Sequence, residues 1–223
     1  MIMGLNNCRI SHVLRSNPFV FKDLIVDFWK NASVNNKGEG GVGNIESVIK
    51  GINIVISEQI IRDVLEFGDA LKLPTKYPSS KVKEVLEKMC YEGTYPPTIK
   101  KQQPPYWRFL AHYFIICISG RKSGFDEISQ TATSAIVALS MNWDYNFSKF
   151  GFEEMNRNHQ GMKKDQFLMY PRFLQMILNE KYSQIERSSN TLEMKALGPS
   201  TFGLMKQSRK TTKITFQGAR ELV

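Results

Sequence analysis

Apolar residues recur along this chain with two periods, and the switch between them falls inside one stretch, IKGINIVISEQIIRDVLEF at 49–67. Ile52, Ile54 and Ile56 share one face of a strand. Beyond Ser57, Ile60, Ile61, Val64 and Leu65 recur at helical spacing and form an inward stripe. Two short strands, 47–50 and 52–56, flank Lys50-Gly51, so the pattern predicts a hairpin in which Gly51 supplies the positive φ of the turn. Ser57 can cap the following helix through its side-chain oxygen, and Glu58 places negative charge in the first turn, where the helix dipole favours it. Gly68 is the predicted C-cap and Pro74 a firm stop.

The helical period returns several times. Phe21, Leu24, Ile25 and Phe28 define one apolar face. Asn17 is the expected cap of that helix, with Pro18 at its first position, and the helix fades over 31–36. Val82, Val85, Leu86 and Met89 follow Ser80 as a cap and end by Gly93. Between Pro105 and Gly120, residues 106–119 carry Trp107, Leu110, Ala111, Phe114, Ile115 and Ile118; this is the predicted central core helix. A softer helix is expected over 125–141, with Ala132, Ala135 and Ala138 permitting close packing and Ile128, Ile136 and Leu139 inward. A short helix should start at Ser148, and another at Pro171, with Phe173, Leu174, Ile177 and Leu178 facing the core. The intervening YEGTYPPTIKKQQPP is rich in Pro and Lys and reads as exposed and extended. After Tyr182 the pattern lapses, apart from a short strand over 213–216. The predicted fold class is therefore mainly α with a small β-hairpin (α+β). A compact multi-helix domain spans 8–182, with the hairpin near 47–56, and a basic, loosely ordered tail or linker spans 183–223.

Composition adds charge to this picture. The 223 residues are 42% hydrophobic, too apolar for a disordered chain, and carry a formal net charge of +9 with a pI near 9.4. A basic balance favours polyanions, nucleic acid or an anionic membrane surface, without choosing between them. Over 181–223 eight basic residues stand against three acidic ones, more than half the excess, which makes the tail the first candidate contact. Cys8, Cys90 and Cys117 are far apart, form no CxxC pair and suit a reducing compartment. The start, MIMGLNNCR, has no signal-peptide pattern. The longest apolar run, 109–118, is about half of what a membrane span needs, so no transmembrane segment is expected. The sequons at Asn31 and Asn146 are then incidental.

Catalytic and ligand-binding patterns are sparse. Gly38, Gly40 and Gly43 match the dinucleotide-binding glycine pattern by letter. That pattern needs a strand before it and a helix at its end, whereas here a helix precedes and a strand follows; a flexible loop is the better reading. SGRKSG at 119–124 is not a Walker A loop. His12, His112 and His159 lie in no metal-ligand spacing. His112 and Cys117 sit five apart on one helix and point in different directions. The acidic pairs Asp126-Glu127 and Glu153-Glu154 diverge by about 100° if helical. No catalytic residue, metal ligand, cofactor or small-molecule substrate is expected. Trp107 beside Arg108 reads as core rather than as a base-stacking site.

The segments RISHVLRSNPFVFKDLIVDFWKNA, INIVISEQIIRDVLEFGDA, PPYWRFLAHYFIICIS, NFSKFGFEEMNRN and FLMYPRFLQMIL resemble, in order and spacing over roughly 8–182, a plant family that is abundant in the daisy lineage and associated with retrotransposons. KALGPSTFGLMKQSRKTTKITFQGARELV resembles a segment that follows this region in some relatives. The Trp-bearing helix, hairpin and Ile/Leu-rich helix also resemble plant mobile domains and plant transposon proteins. The resemblance implies a mobile-element-derived, gag-like or accessory protein and supplies no catalytic residues. Some relatives bear the name "synaptobrevin, longin-like domain protein". A longin domain has a five-stranded antiparallel sheet, and one hairpin with about six helices does not match it. Relatives often sit within longer polyproteins, and both ends of this chain read as cut.

The functional expectation is a non-enzymatic transposable-element-derived protein, cytoplasmic or nuclear, acting by self-association and by nonspecific binding of RNA or DNA. Homo-oligomerisation is the protein partnership this implies. The expected polyanion surface comprises Lys100, Lys101, Arg121 and Lys122 in loops and Lys206, Arg209, Lys210 and Lys213 in the tail. The alternative is a protein-interaction module of the longin-like, vesicle-trafficking kind.

Overall fold

A computed structural model describes residues 8–35, 43–96, 98–117, 126–161 and 168–192. The fold is α+β, with eight α-helices and three small antiparallel sheets among the described residues. Packing divides these residues into two compact units, 8–71 with 147–192 and 72–146, where the sequence pattern suggested one body over 8–182.

The first unit is built around the hairpin. Strand β3 (Asn44–Ile49) pairs antiparallel with β4 (Ile52–Ile56), Ile49 opposite Ile52. Lys50 and Gly51 both have positive φ, 47° and 79°, as a two-residue type I′ turn requires. Ile45, Ile49, Ile54 and Ile56 are buried on one sheet face. A third strand, β2 (Ser33–Asn35), pairs with β3 through Asn35 opposite Asn44. This strand was not expected, because SVN carries no apolar alternation of its own. The glycine run at 36–43 thus joins two antiparallel neighbours; residues 36–42 themselves lie outside the described residues. The order β2-β3-β4 is the largest described sheet, short of the five strands of a longin domain.

Around this sheet, α1 (Ser11–Arg15) and the two-residue β1 (Val20–Phe21) precede α2 (Lys22–Asn31). The expected opening at Asn17-Pro18 is wrong by several residues. Val20 and Phe21 instead pair with Leu192 and Thr191 of β7 (Thr191–Leu192), and the Phe21 N–H donates to Gln175 Oε1 at 2.9 Å. A long-range pairing overrides the local cap signal. It also orders residues 183–192, which sequence alone assigned to the tail. Phe21, Leu24, Ile25 and Phe28 are buried as their spacing predicts, and α2 packs on β3.

Helix α3 (Glu58–Leu65) starts where the pattern places it, with Ser57 Oγ accepting from the Ile60 N–H at 3.2 Å. It ends on left-handed Glu66 (φ 50°), with Gly68 (φ 63°) two residues on rather than as the cap itself. Ser57→Ala is expected to cost about 1 kcal/mol through the lost cap. Gly51→Ala should cost about 1–2 kcal/mol through left-handed strain, since nothing lies within 4 Å of a Cβ there. Urea titration of each variant checks both values. Helix α3 packs on α7 (Phe147–Gln160) and α8 (Pro171–Lys181). The helix expected to be short is α7, at 14 residues. Pro171 does occupy the start of α8, and Phe173, Leu174, Ile177 and Leu178 are buried.

The second unit contains α4 (Ser79–Lys88), α5 (Pro105–Cys117) and α6 (Gln130–Ser140). Helix α6 packs against both others. Helix α4 follows Pro78, without the expected Ser80 cap, and buries Val82, Val85 and Leu86. The stretch read as exposed and extended is folded. Thr98–Ile99 (β5) pairs with Glu127–Ile128 (β6), a 3-10 turn covers Lys100–Gln102, and Thr98 and Gln103 are buried. The β5–β6 pairing also explains why α6 begins at Gln130, capped by Ser129, rather than at 125. In α5, Phe109, Ala111, Phe114 and Ile115 are buried while Trp107 and Leu110 are half-buried.

Candidate functional site

The polar residues of the recognisable motifs turn inward. Asp69, two residues beyond the opening stretch, reaches NFSK: its Oδ2 accepts from the Ser148 N–H at 2.6 Å and its Oδ1 from Ser148 Oγ at 2.9 Å. The carboxylate therefore satisfies an orphan N–H in the first turn of α7, where negative charge is favoured. Asp69 Oδ1 also accepts from Arg62 Nε at 3.0 Å, and Arg62 Nη2 meets Glu58 Oε1 at 2.5 Å. The Asp69 side chain is fully buried and Arg62 only 12% exposed. Elsewhere, Trp29 Nε1 donates to the Met169 carbonyl at 2.7 Å, joining the FW helix to FLMYPRF. Tyr182 Oη accepts from the Val55 N–H and donates to the Val55 carbonyl, each at 2.9 Å, which closes part of the open edge of β4. Ser47 Oγ donates to the Phe28 carbonyl at 2.7 Å. These markers hold the fold.

Of the expected polyanion residues, the structure describes Lys100 and Lys101. Arg121, Lys122, Lys206, Arg209, Lys210 and Lys213 lie outside the described residues, as does the predicted strand at 213–216. The 3-10 turn projects both lysines beside β6. Lys101 Nζ meets Asp126 Oδ2 at 2.7 Å, and that contact first of all holds the exposed Asp126 carboxyl below its ordinary range. Lys100 is half-buried, its Nζ 3.3 Å from His112 Nδ1. Arg108 donates through Nη2 to the carbonyls of Lys101 at 3.1 Å and Gln103 at 3.0 Å. Lys101 and Lys100 thus both act on the Asp126 carboxylate, while Arg108 and His112 neighbour Lys100.

Burial pushes the Lys100 ammonium down, as do the neighbouring Lys101 and Arg108 charges, against the opposing pull of Asp126. Burial and then the Lys100 charge push His112 down too. The folded ring resists a proton that the unfolded chain accepts at about pH 6.5. Its contribution to stability is therefore present above the unfolded value and is lost as pH falls below about 6.5. His112→Gln is expected to flatten the decline in stability between about pH 6.5 and 5, followed by urea midpoints at each pH. An unchanged profile would remove His112 as its source.

Two open depressions of about 430 and 500 Å³ share His12 and Ser16 in the first unit. His12 Nδ1 lies 3.4 Å from Glu66 Oε2, an orienting pair on its face. The adjoining Ser16 Oγ, however, donates to the His12 backbone carbonyl at 2.8 Å, so it closes the turn after α1 instead of meeting the imidazole as a nucleophile. Arg172 is buried, with Nε and Nη1 unpaired, and Glu154 of α7 is held by Arg157. Among the described residues no His, Cys, Asp and Glu cluster can hold a metal, and no helix is long and apolar enough to cross a membrane.

Sequence reasoning missed a second basic stretch. Between Asp69 and Glu84 the chain carries Lys72, Lys76, Lys81 and Lys83 and no acidic residue. Lys83 lies 4.0 Å from Glu87, whereas Lys72, Lys76 and Lys81 make no ion pair among the described residues. The missing carboxylates were the signal, masked by the helical pattern that begins in the same stretch. No protein-family model, no curated protein and no solved structure matches the chain.

Proposed function

We propose that the chain is a non-enzymatic, transposable-element-derived plant protein, gag-like or accessory, that contacts RNA or DNA without sequence preference and associates with further copies of itself in the cytoplasm or nucleus. One observation supports this most directly. Asp69, Ser148 and the Trp29 indole, within the motifs that carry the family resemblance, are engaged in internal hydrogen bonds, while Lys72, Lys76 and Lys81 are exposed. A chain with a net charge of +9, whose exposed Lys72, Lys76 and Lys81 make no ion pair among the described residues, attracts phosphate backbones through counterion release, a force that reads no bases. The Lys100–Lys101–Arg108 group and the basic residues of 193–223 are the contacts in this reading.

Anisotropy of fluorescein-labelled RNA and DNA of several unrelated sequences tests it. The expected result is binding at low salt with affinities that agree within a few-fold across sequences. Absence of binding together with capture of one defined protein partner would favour the alternative, a longin-like interaction module.

A further inference from the structure

We propose that Trp143, Tyr77 and Lys81 form a stacking site for an unpaired base of single-stranded nucleic acid, with the neighbouring Lys72 and Lys76 taking adjacent phosphates. This rests on the nucleic-acid reading above and assigns it a place in the second unit. Tyr77 lies just before α4 and Trp143 just after α6; their ring centroids are 5.0 Å apart. Both rings are half-buried, resting on the cluster of Val82, Val85, Leu86, Met89 and Val137. The support is rigid. Tyr77 Oη donates to the Asp144 carbonyl, the Trp143 backbone N–H donates to the Ala138 carbonyl at 2.8 Å, and buried Tyr145 stacks on Tyr77 at 6.4 Å.

Lys81, in the first turns of α4, holds its ammonium 4.1 Å over the Trp143 ring and 5.2 Å from that of Tyr77. The geometry marks an electron-rich face that already attracts a cation. An incoming base can take that face while Lys81 turns to the phosphate, so the ring exchanges one partner for another and the ammonium gains a charged one. Aromatic faces tolerate every base, which agrees with binding that reads no sequence. Carboxylates are absent across 70–83; Glu84, which pairs with Lys88 at 2.7 Å and also feels the Lys81 charge, and Asp144 beside Trp143 are the acidic neighbours in sequence, against Lys72, Lys76, Lys81 and Lys83.

The test uses the full chain with fluorescein-labelled oligo(dT) and a duplex of equal length in the same buffer. Stacking needs an unpaired base, so oligo(dT) should bind about tenfold tighter than the duplex, the magnitude of one base–aromatic contact. Trp143→Leu, which keeps an apolar side chain, should lose that about tenfold advantage, and Trp143→Phe should keep most of it. Lys72→Gln, Lys76→Gln and Lys81→Gln together should lower the slope of log affinity against log salt by about 2. Equal oligo(dT) and duplex affinity in the wild type, or unchanged binding by Trp143→Leu, overturns the stacking site while leaving nonspecific binding in place. No binding of either probe by the wild type overturns both.

Discussion

Asp69→Ala is expected to lower the unfolding free energy by about 3–5 kcal/mol, the range seen when one partner of a buried pair is removed. Three contacts go at once: the Ser148 N–H at 2.6 Å, Ser148 Oγ at 2.9 Å and Arg62 Nε at 3.0 Å. What remains is costlier than what is lost. Arg62 keeps Glu58 but leaves a guanidinium N–H without its acceptor in a nearly closed site, and α7 loses the carboxylate at its first turn. Asp69→Asn keeps an acceptor oxygen and should cost less, while Ser148→Ala should cost about 1 kcal/mol, as one hydrogen bond does. Urea unfolding followed by circular dichroism ranks the three. A loss below about 1 kcal/mol for Asp69→Ala would mean the network contributes little beyond its individual bonds.

Trp29→Ala should cost a similar amount, about 3–5 kcal/mol, from the void left by a large core side chain. Trp29 is 1% exposed; its ring meets Phe28 edge-on at 5.0 Å and lies 6.0 Å from His159 and 6.3 Å from Tyr170. The indole N–H satisfies the Met169 carbonyl just before α8, so truncation also strands an acceptor. Trp29→Phe separates the two effects: it keeps most of the packing, loses the hydrogen bond and should cost about 1–3 kcal/mol. If Phe proved as costly as Ala in the same urea titration, the hydrogen bond and not the volume would dominate.

Local signals served well where the chain acts locally. Gly51 and Ser57 do what their types imply, and the apolar stripes of α2, α4 and α8 are buried as spaced; in α3 Ile61, Val64 and Leu65 are buried, while Ile60 is only half-buried. The failures share a cause. Val20-Phe21, Thr98–Ile99 and Glu127–Ile128 are strands only because a distant segment pairs with them, Ser33–Asn35 because it pairs with the strand beyond the glycine run, and two or three residues carry too little periodicity to announce it. The site was legible as net charge but not as placement. Lys100 and Lys101 read as free loop cations, yet one leans on His112 of the following helix and the other on Asp126, beside the strand that pairs with β5. Lys81 was invisible as a site because Trp143 reaches it from across the second unit, 62 residues along the chain.

In the proposed function, phosphate neutralisation by surface cations drives nucleic-acid binding. Its most direct test is the affinity of the intact chain for a labelled single-stranded oligonucleotide between about 50 and 200 mM salt. With about five phosphates neutralised, log affinity should fall against log salt with a slope near −3.5, a loss of roughly a hundredfold. An affinity that does not change across that range, or no binding at its lower end, would contradict the account.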